Sequence, residues 1–134
     1  MPNFFSQLFS GQYPCFQKPF SPCYLVADVE TSGLKAGAHR VVQIGYCAVY
    51  DGKPVAQDGF VLQAPPDITF DPGAVRVTGI DAERCKREGV SREDAIRLFV
   101  DMAAEWLARG CELVGHNLAV FDLPFLRYES MVYD

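Results

Sequence analysis

No stretch of this sequence strings together the ~18 apolar residues that a membrane-spanning helix requires, and the N-terminus has neither a basic region nor an unbroken apolar run. Neither a membrane span nor a signal peptide is expected. Positive charge is also short: 12 Lys and Arg stand against 17 Asp and Glu, a net charge of −5. Such a surface does not hold long duplex nucleic acid by bulk attraction, although bound metal ions can supply the positive charge that a phosphate needs. The five cysteines, Cys15, Cys23, Cys47, Cys85 and Cys111, include no Cys-x-x-Cys pair and are odd in number. Neither a zinc site nor a disulfide framework is suggested, and the expectation is five reduced thiols in the cytoplasm. Internal repeats and low-complexity tracts are absent too.

What is present suits one globular domain: 134 residues, 49% of them hydrophobic and 22% charged, a size at which folding buries roughly two thirds of the chain's surface. Residues 1–23 form a Phe- and Pro-rich arm, with Phe4, Phe5, Phe9, Phe16 and Phe20 between Pro14, Pro19 and Pro22. The prolines break helix and inner strand alike, so the arm either packs on the body or docks a protein partner. Residues 24–134 make the domain. Tyr24 to Glu30 is a strand, and Arg40–Tyr50 and Lys53–Gln63 are two more, joined at Asp51-Gly52, a strong hairpin signal. PPDITFDPG is a loop, and TGIDAERCKREG carries at most a short helix. Ser91–Arg109 is the clearest helix: Ser91 and Asp94 fit a capping box, Ile96, Phe99, Val100, Ala103 and Leu107 share a face, and Gly110 closes the end. Cys111–Gly115 is a short buried strand, parallel to its neighbours after the helical crossover. The fold class is α/β, a mixed sheet with flanking helices.

Two acids interrupt the apolar first strand, in YLVADVETSGL. Asp28 and Glu30 stand two residues apart, so both carboxylates leave the same face of the sheet. A third, Asp122, sits within Leu118, Val120, Phe121, Leu123, Phe125 and Leu126 after the last strand. A carboxylate in such surroundings is costly unless paired, hydrogen-bonded or bound to metal. Three acids at two strand ends suit hard divalent cations, which take oxygen ligands. Asp122 before Leu123-Pro124 also fits a helix N-cap with proline in the first turn, and Glu30 and Thr31 also fit a turn.

The run D-V-E-T-S-G-L (Asp28–Leu34) resembles the first motif of the DEDD 3′ to 5′ exonuclease superfamily of the proofreading-subunit (DnaQ-like) type. H-N-L-A-V-F-D-L-P-F-L (His116–Leu126) resembles the second, and VTGID (Val77–Asp81) is similar to the Gly-Ile turn between them. The resemblance covers residues 24–127 and implies an RNase H-like fold that hydrolyses the 3′-terminal phosphodiester of single-stranded DNA or RNA. It implies that Asp28, Glu30 and Asp122 hold two Mg²⁺ or Mn²⁺ ions, roughly 3.5 to 4 Å apart. It further implies that Thr31, Gly33 and Leu34 cradle the terminal nucleotide, Leu34 wedging against a base and Thr31 near the 3′-hydroxyl, while Asn117 and Phe121 order the substrate side. Turn chemistry and core packing are the alternative roles for these residues.

The family's third motif, His or Tyr followed by a fourth metal-binding Asp, is expected well past Asp122, where only YESMVYD follows Arg127. The domain is therefore expected to be incomplete, lacking its last strand and helix, and a weak or inactive nuclease that binds a single divalent ion at low affinity. His116 is assigned a structural hydrogen bond, and His39 a solvated loop position. Arg84, Lys86, Arg87 and Arg92 are read as a solvated face, with a phosphate track as the alternative. The competing function is an inactive exonuclease-fold module that binds nucleic acid or protein.

Overall fold

The computed structural model describes residues 23–133; the expected N-terminal arm lies outside them, apart from Cys23. Four strands, β1 (Cys23–Thr31), β2 (Val41–Tyr50), β3 (Lys53–Val61) and β4 (Glu112–Val114), form one sheet of order β3-β2-β1-β4. β1 pairs antiparallel with β2, β2 antiparallel with β3, and β4 parallel with β1. Among the described residues four helices accompany it: α1 (Pro72–Thr78), α2 (Ala82–Glu88), α3 (Arg92–Ala108) and α4 (Asp122–Val132). This is the expected mixed sheet with flanking helices.

Alternation along β1 sets the layers. Leu25, Ala27, Val29 and Thr31 are buried, while Tyr24, Val26, Asp28 and Glu30 turn to the other face. The buried row meets Ala95, Ile96, Phe99, Ala103 and Leu107 of α3 and Phe125 and Leu126 of α4 in a single core. Full burial of a side chain such as Phe99 or Phe125 contributes roughly 1.5–3 kcal/mol. Ser91 caps α3, its hydroxyl accepting from Asp94 N–H at 3.4 Å. The hairpin turn is as expected: Asp51 and Gly52 both have positive φ, 50° and 74°, as a two-residue primed turn requires.

Three expectations are corrected. The loop PPDITFDPG ends in a helix, α1, because Asp71 accepts from Gly73 N–H at 2.6 Å, Pro72 sits where a missing N–H does no harm, and Gly79 closes the turn at φ 70°. A second short helix, α2, follows immediately. β4 is a half-exposed edge strand rather than a buried one. The cysteines are not all reduced: Cys23 and Cys111 form a disulfide, their Cα atoms 4.5 Å apart. Parallel pairing of Tyr24 with Glu112 sets the two preceding cysteines side by side, a proximity that 88 residues of separation hide in the sequence. Cys47 and Cys85 are free.

Candidate active site

The first two acids leave β1 on the face away from the core, opposite Gly45 and Gln43 of β2. Asp28 is exposed and Glu30 half-buried, so the dry setting expected for them is not found. Immediately past Glu30 the pairing of β1 with β2 slips by one residue, and the chain leaves the sheet into the loop Ser32–His39.

Asp122 arrives from the other direction. β4 stops pairing with β1 at Val114–Val26, and at Gly115 the chain passes so close to β1 that a Cβ would lie 2.7 Å from the Ala27 carbonyl oxygen. Asn117 then takes a left-handed conformation, φ 52°, which Asn tolerates better than most residues. Its carbonyl accepts from Val120 and Phe121 N–H, and α4 begins at Asp122. The Asp122 carboxylate does not cap the helix. It reaches back to accept from Val29 N–H at 3.3 Å, a donor three residues beyond the last rung between β1 and β4. Asp122 is thereby buried, 2% exposed, between the two strand acids in sequence register.

The electrostatics follow from that placement. Burial pushes the Asp122 carboxyl up to about 6, the charges of Asp28 and Glu30 push the same way, and Val29 N–H and His116 only partly offset them. Burial likewise raises Glu30, with the Asp28 charge adding. Asp28, Glu30 and Asp122 therefore share one electrostatic neighbourhood. Among the described residues, however, no group of three or more His, Cys, Asp or Glu side chains is gathered tightly enough to hold an ion.

A second buried carboxylate on the same helix supplies the contrast. Glu129 is fully buried and accepts from Arg40 Nε and Nη2, both at 2.9 Å, from Arg92 Nη2 at 2.8 Å and from Val41 N–H at 3.1 Å. Burial alone would raise its pKa; the two guanidinium groups outweigh that and hold it below the usual carboxylate range. Sequence reading passed over Glu129, although Asp122, Phe125, Leu126 and Glu129 follow the spacing of one buried helix face. It also placed Arg92 on a solvated face, whereas Arg92 is 6% exposed and bonds Val41 O and Gln63 O as well. Arg84, Lys86 and Arg87 are not buried, as expected.

The remaining expected site residues are distributed around the acids. The Thr31 hydroxyl is buried and donates to Gly33 O at 2.6 Å, so it holds the turn. Gly33 lies directly under the His39 ring, where a Cβ would clash, and His39 Nδ1 accepts from Lys35 N–H at 3.2 Å. Leu34, at 77% exposed, projects from this loop. Phe121 is half-buried and stacks at a tilt on Phe125, ring centroids 5.1 Å apart. His116 is exposed and near enough to Asp122 to lower its pKa. An open apolar groove of about 510 Å³, lined by Leu113, Val114, Asn117 and Val120 among others, runs beside it.

Comparison with known proteins shows the family and the fold. The family model described as Exonuclease (RNase T) matches residues 25–133. The 3′-5′ DNA exonuclease Cap18 of Escherichia coli is 32% identical over 116 residues, covering 82% of this chain and 58% of that protein. The 3′-5′ exonuclease DinG of Staphylococcus saprophyticus is 27% identical over 106 residues, 79% of this chain and 11% of the other. The chain thus spans little more than half the length of the first relative and far less of the second. A zinc-bound E. coli exonuclease I complexed with single-stranded DNA superposes with a TM-score of 0.74 at 19% identity, covering 84% of this chain and 24% of that one, which shows a shared fold. Matched by its family model from Leu25 in β1 to Tyr133 just past α4, the chain belongs to the Exonuclease (RNase T) family, whose members are metal-dependent nucleases.

Proposed function

We propose that this chain is the core of a 3′ to 5′ exonuclease that removes nucleotides from single-stranded DNA or RNA ends with Mg²⁺ or Mn²⁺, held by Asp28, Glu30 and Asp122. The observation that carries the reading is the contrast within α4. Glu129 has two guanidinium partners, whereas the equally buried Asp122 has two further carboxylates for neighbours and a pKa pushed up to about 6. A buried acid among acids is a stability cost that a bound divalent cation removes.

The donor set fits such an ion in kind: all three groups are carboxylate oxygens, which hard cations prefer. When bound, the metal would supply an activated water and neutralise charge on the leaving oxygen. The protein's own part is placement. Val29 N–H orients one Asp122 oxygen and leaves the other for a ligand, Asp28 is open to solvent where substrate approaches, and half-buried Glu30 flanks it. In this reading Leu34 meets the terminal base, and Gly33 and Thr31 shape the turn that presents it. Asn117 and Phe121 fix the start of α4 on the substrate side.

The test is an exonuclease assay on a 5′-labelled single-stranded oligonucleotide with Mg²⁺ or Mn²⁺, repeated with Asp28→Ala and Asp122→Asn. Shortening from the 3′ end that needs metal and is lost in both variants supports the proposal; shortening that survives either substitution refutes the assigned residues. One observation favours a second reading, a binding module without catalysis: the three acids do not close on one point. Oligonucleotide binding that is indifferent to divalent metal and to Asp28→Ala would decide for it.

A further inference from the structure

We infer that Tyr128, together with Glu129, is a positioning residue that sets the pose of the Ser32–His39 loop, so that grip on the terminal nucleotide is controlled from the far end of α4. The inference rests on the proposed reading of Gly33 and Leu34 as the nucleotide cradle and extends it to side chains that touch neither substrate nor metal.

The loop has little to hold it in itself. Leu34, Lys35, Ala36 and Ala38 are exposed, so no apolar cluster of its own fixes its shape. Its internal order consists of short-range hydrogen bonds: Ser32 N–H to Arg40 O at 2.9 Å, Arg40 N–H to Ser32 Oγ at 3.0 Å, His39 N–H to Lys35 O at 2.7 Å and Lys35 N–H to His39 Nδ1 at 3.2 Å. These close the loop on itself; its first residue is held from outside, Asp71 N–H donating to Ser32 O at 2.7 Å, while the crest beyond it needs an anchor of its own.

Two contacts supply one, and both lead to consecutive residues of α4. At the crest of the loop, Gly37 takes φ +90°, and a Cβ there would stand 3.4 Å from the Tyr128 ring, so the crest faces that ring about a methyl group away. At the loop's base, the Arg40 guanidinium lies 5.3 Å from the centroid of the same ring while making its paired bonds to Glu129. Tyr128 is thus the surface that both the crest and the base of the loop face, and Glu129 fixes the cation at the base. The other end of the same helix holds Asp122 against Val29, and Val29 adjoins both strand acids. One rigid element of 11 residues therefore relates the nucleotide loop to the acids.

Tyr128 is 37% exposed, so its removal leaves the core packing intact and can be read separately from unfolding. Three measurements on the 134-residue chain make the test: hydrogen exchange at the Lys35, His39 and Arg40 amides, affinity for a 5′-fluorescein oligo(dT) by anisotropy in Mn²⁺, and Mn²⁺ titration alone. For Tyr128→Ala we expect faster exchange at those amides with β1 and β2 unchanged. We also expect oligo(dT) affinity lower by about tenfold, the loss that follows if the competent loop pose falls to roughly a tenth of the population, and unchanged Mn²⁺ affinity. Tyr128→Phe keeps the ring and should restore both exchange and affinity. Unchanged exchange in Tyr128→Ala overturns the coupling. Faster exchange with unchanged oligo(dT) affinity overturns the link from loop to substrate. Wild-type protein that binds Mn²⁺ but no oligo(dT) overturns the underlying substrate reading, and the inference with it.

Discussion

Replacing Asp122 by Asn should make the metal-free protein more stable and the metal-loaded protein less responsive, and both effects have calculable sizes. Asp122 has its pKa raised from the ordinary 3.8 to about 6 in the folded chain. A raised carboxyl means that the folded state binds the proton more tightly than the unfolded state. The group's favourable contribution is therefore full below pH 3.8 and is lost as the pH rises through 6. A shift of about two units corresponds to roughly 3 kcal/mol of destabilisation above that window. Asn removes the ionisation and keeps an oxygen for Val29 N–H, but it exchanges a charge-assisted hydrogen bond for a neutral one. The expected net gain is about 1–2 kcal/mol at pH 8, seen as a higher urea midpoint in EDTA and vanishing as the pH is lowered towards 4. Glu129, whose pKa is lowered, titrates in the opposite sense, but it is present in both proteins and cancels in the difference. Mn²⁺ at a hundred times its dissociation constant should then stabilise the wild type by about 2.7 kcal/mol and Asp122→Asn by much less, so the order of stability reverses. Two results would refute the reasoning: a variant less stable than the wild type in EDTA at pH 8, or an equal gain from Mn²⁺ in both proteins.

Glu129→Gln leaves two buried guanidinium groups facing one amide, and should cost about 3–5 kcal/mol in urea unfolding; a loss below about 0.5 kcal/mol, the scale of surface substitutions, would show that the triad does not hold the fold. Gly115→Ala places a methyl against the Ala27 carbonyl, and should cost about 1–3 kcal/mol and speed hydrogen exchange in β4, whereas unchanged exchange would mean that the backbone there yields freely. Reduction of Cys23–Cys111 should lower the thermal midpoint, because a link across 88 residues constrains the unfolded chain by an amount typically near 2–4 kcal/mol. Thiol labelling of the denatured, unreduced protein should find two fewer reactive groups than after reduction, and equal counts would exclude the bridge.

What could be read from the sequence is what local rules determine. The two-residue spacing of Asp28 and Glu30 forces a shared face, Asp51-Gly52 forces a primed turn, and Ser91 ahead of an apolar stripe starts a helix. Parallel placement of β4 follows from the crossover through α3. Helix α1 was missed although Asp71-Pro72 and Gly79 are a start and a stop signal, because seven residues give no periodicity to weigh between them. Position in space is what the sequence conceals. Arg40 and Glu129 lie 89 residues apart, and nothing near Arg92 distinguishes it from Arg84 and Arg87, which stay on the surface. The three acids stand out in the sequence by their apolar surroundings. Their exposure does not, since only packing decides that Asp28 faces solvent while Asp122 is enclosed.

Asp122 and Glu129 lie seven residues apart on α4, close to two turns or about 10 Å along one face, and each accepts a backbone N–H that the sheet leaves unpaired, from Val29 and from Val41. As geometric devices they are equivalent: each pins one end of the helix to one strand. They differ only in counter-charge, and that difference is not forced by the fold. The positions about Asp122 are held by Asp28 and Glu30, which add negative charge where a guanidinium would relieve it, whereas Glu129 receives both Arg40 and Arg92. A fold that supplies two cations to one buried carboxylate is able to balance such a charge. That it instead sets the other beside two acids, at a pKa of about 6, is the asymmetry on which the proposed cation site rests. On that proposal the Glu129 end of α4 is fixed whether or not an ion is present, so binding at the Asp122 end would adjust local charge without having to build the helix.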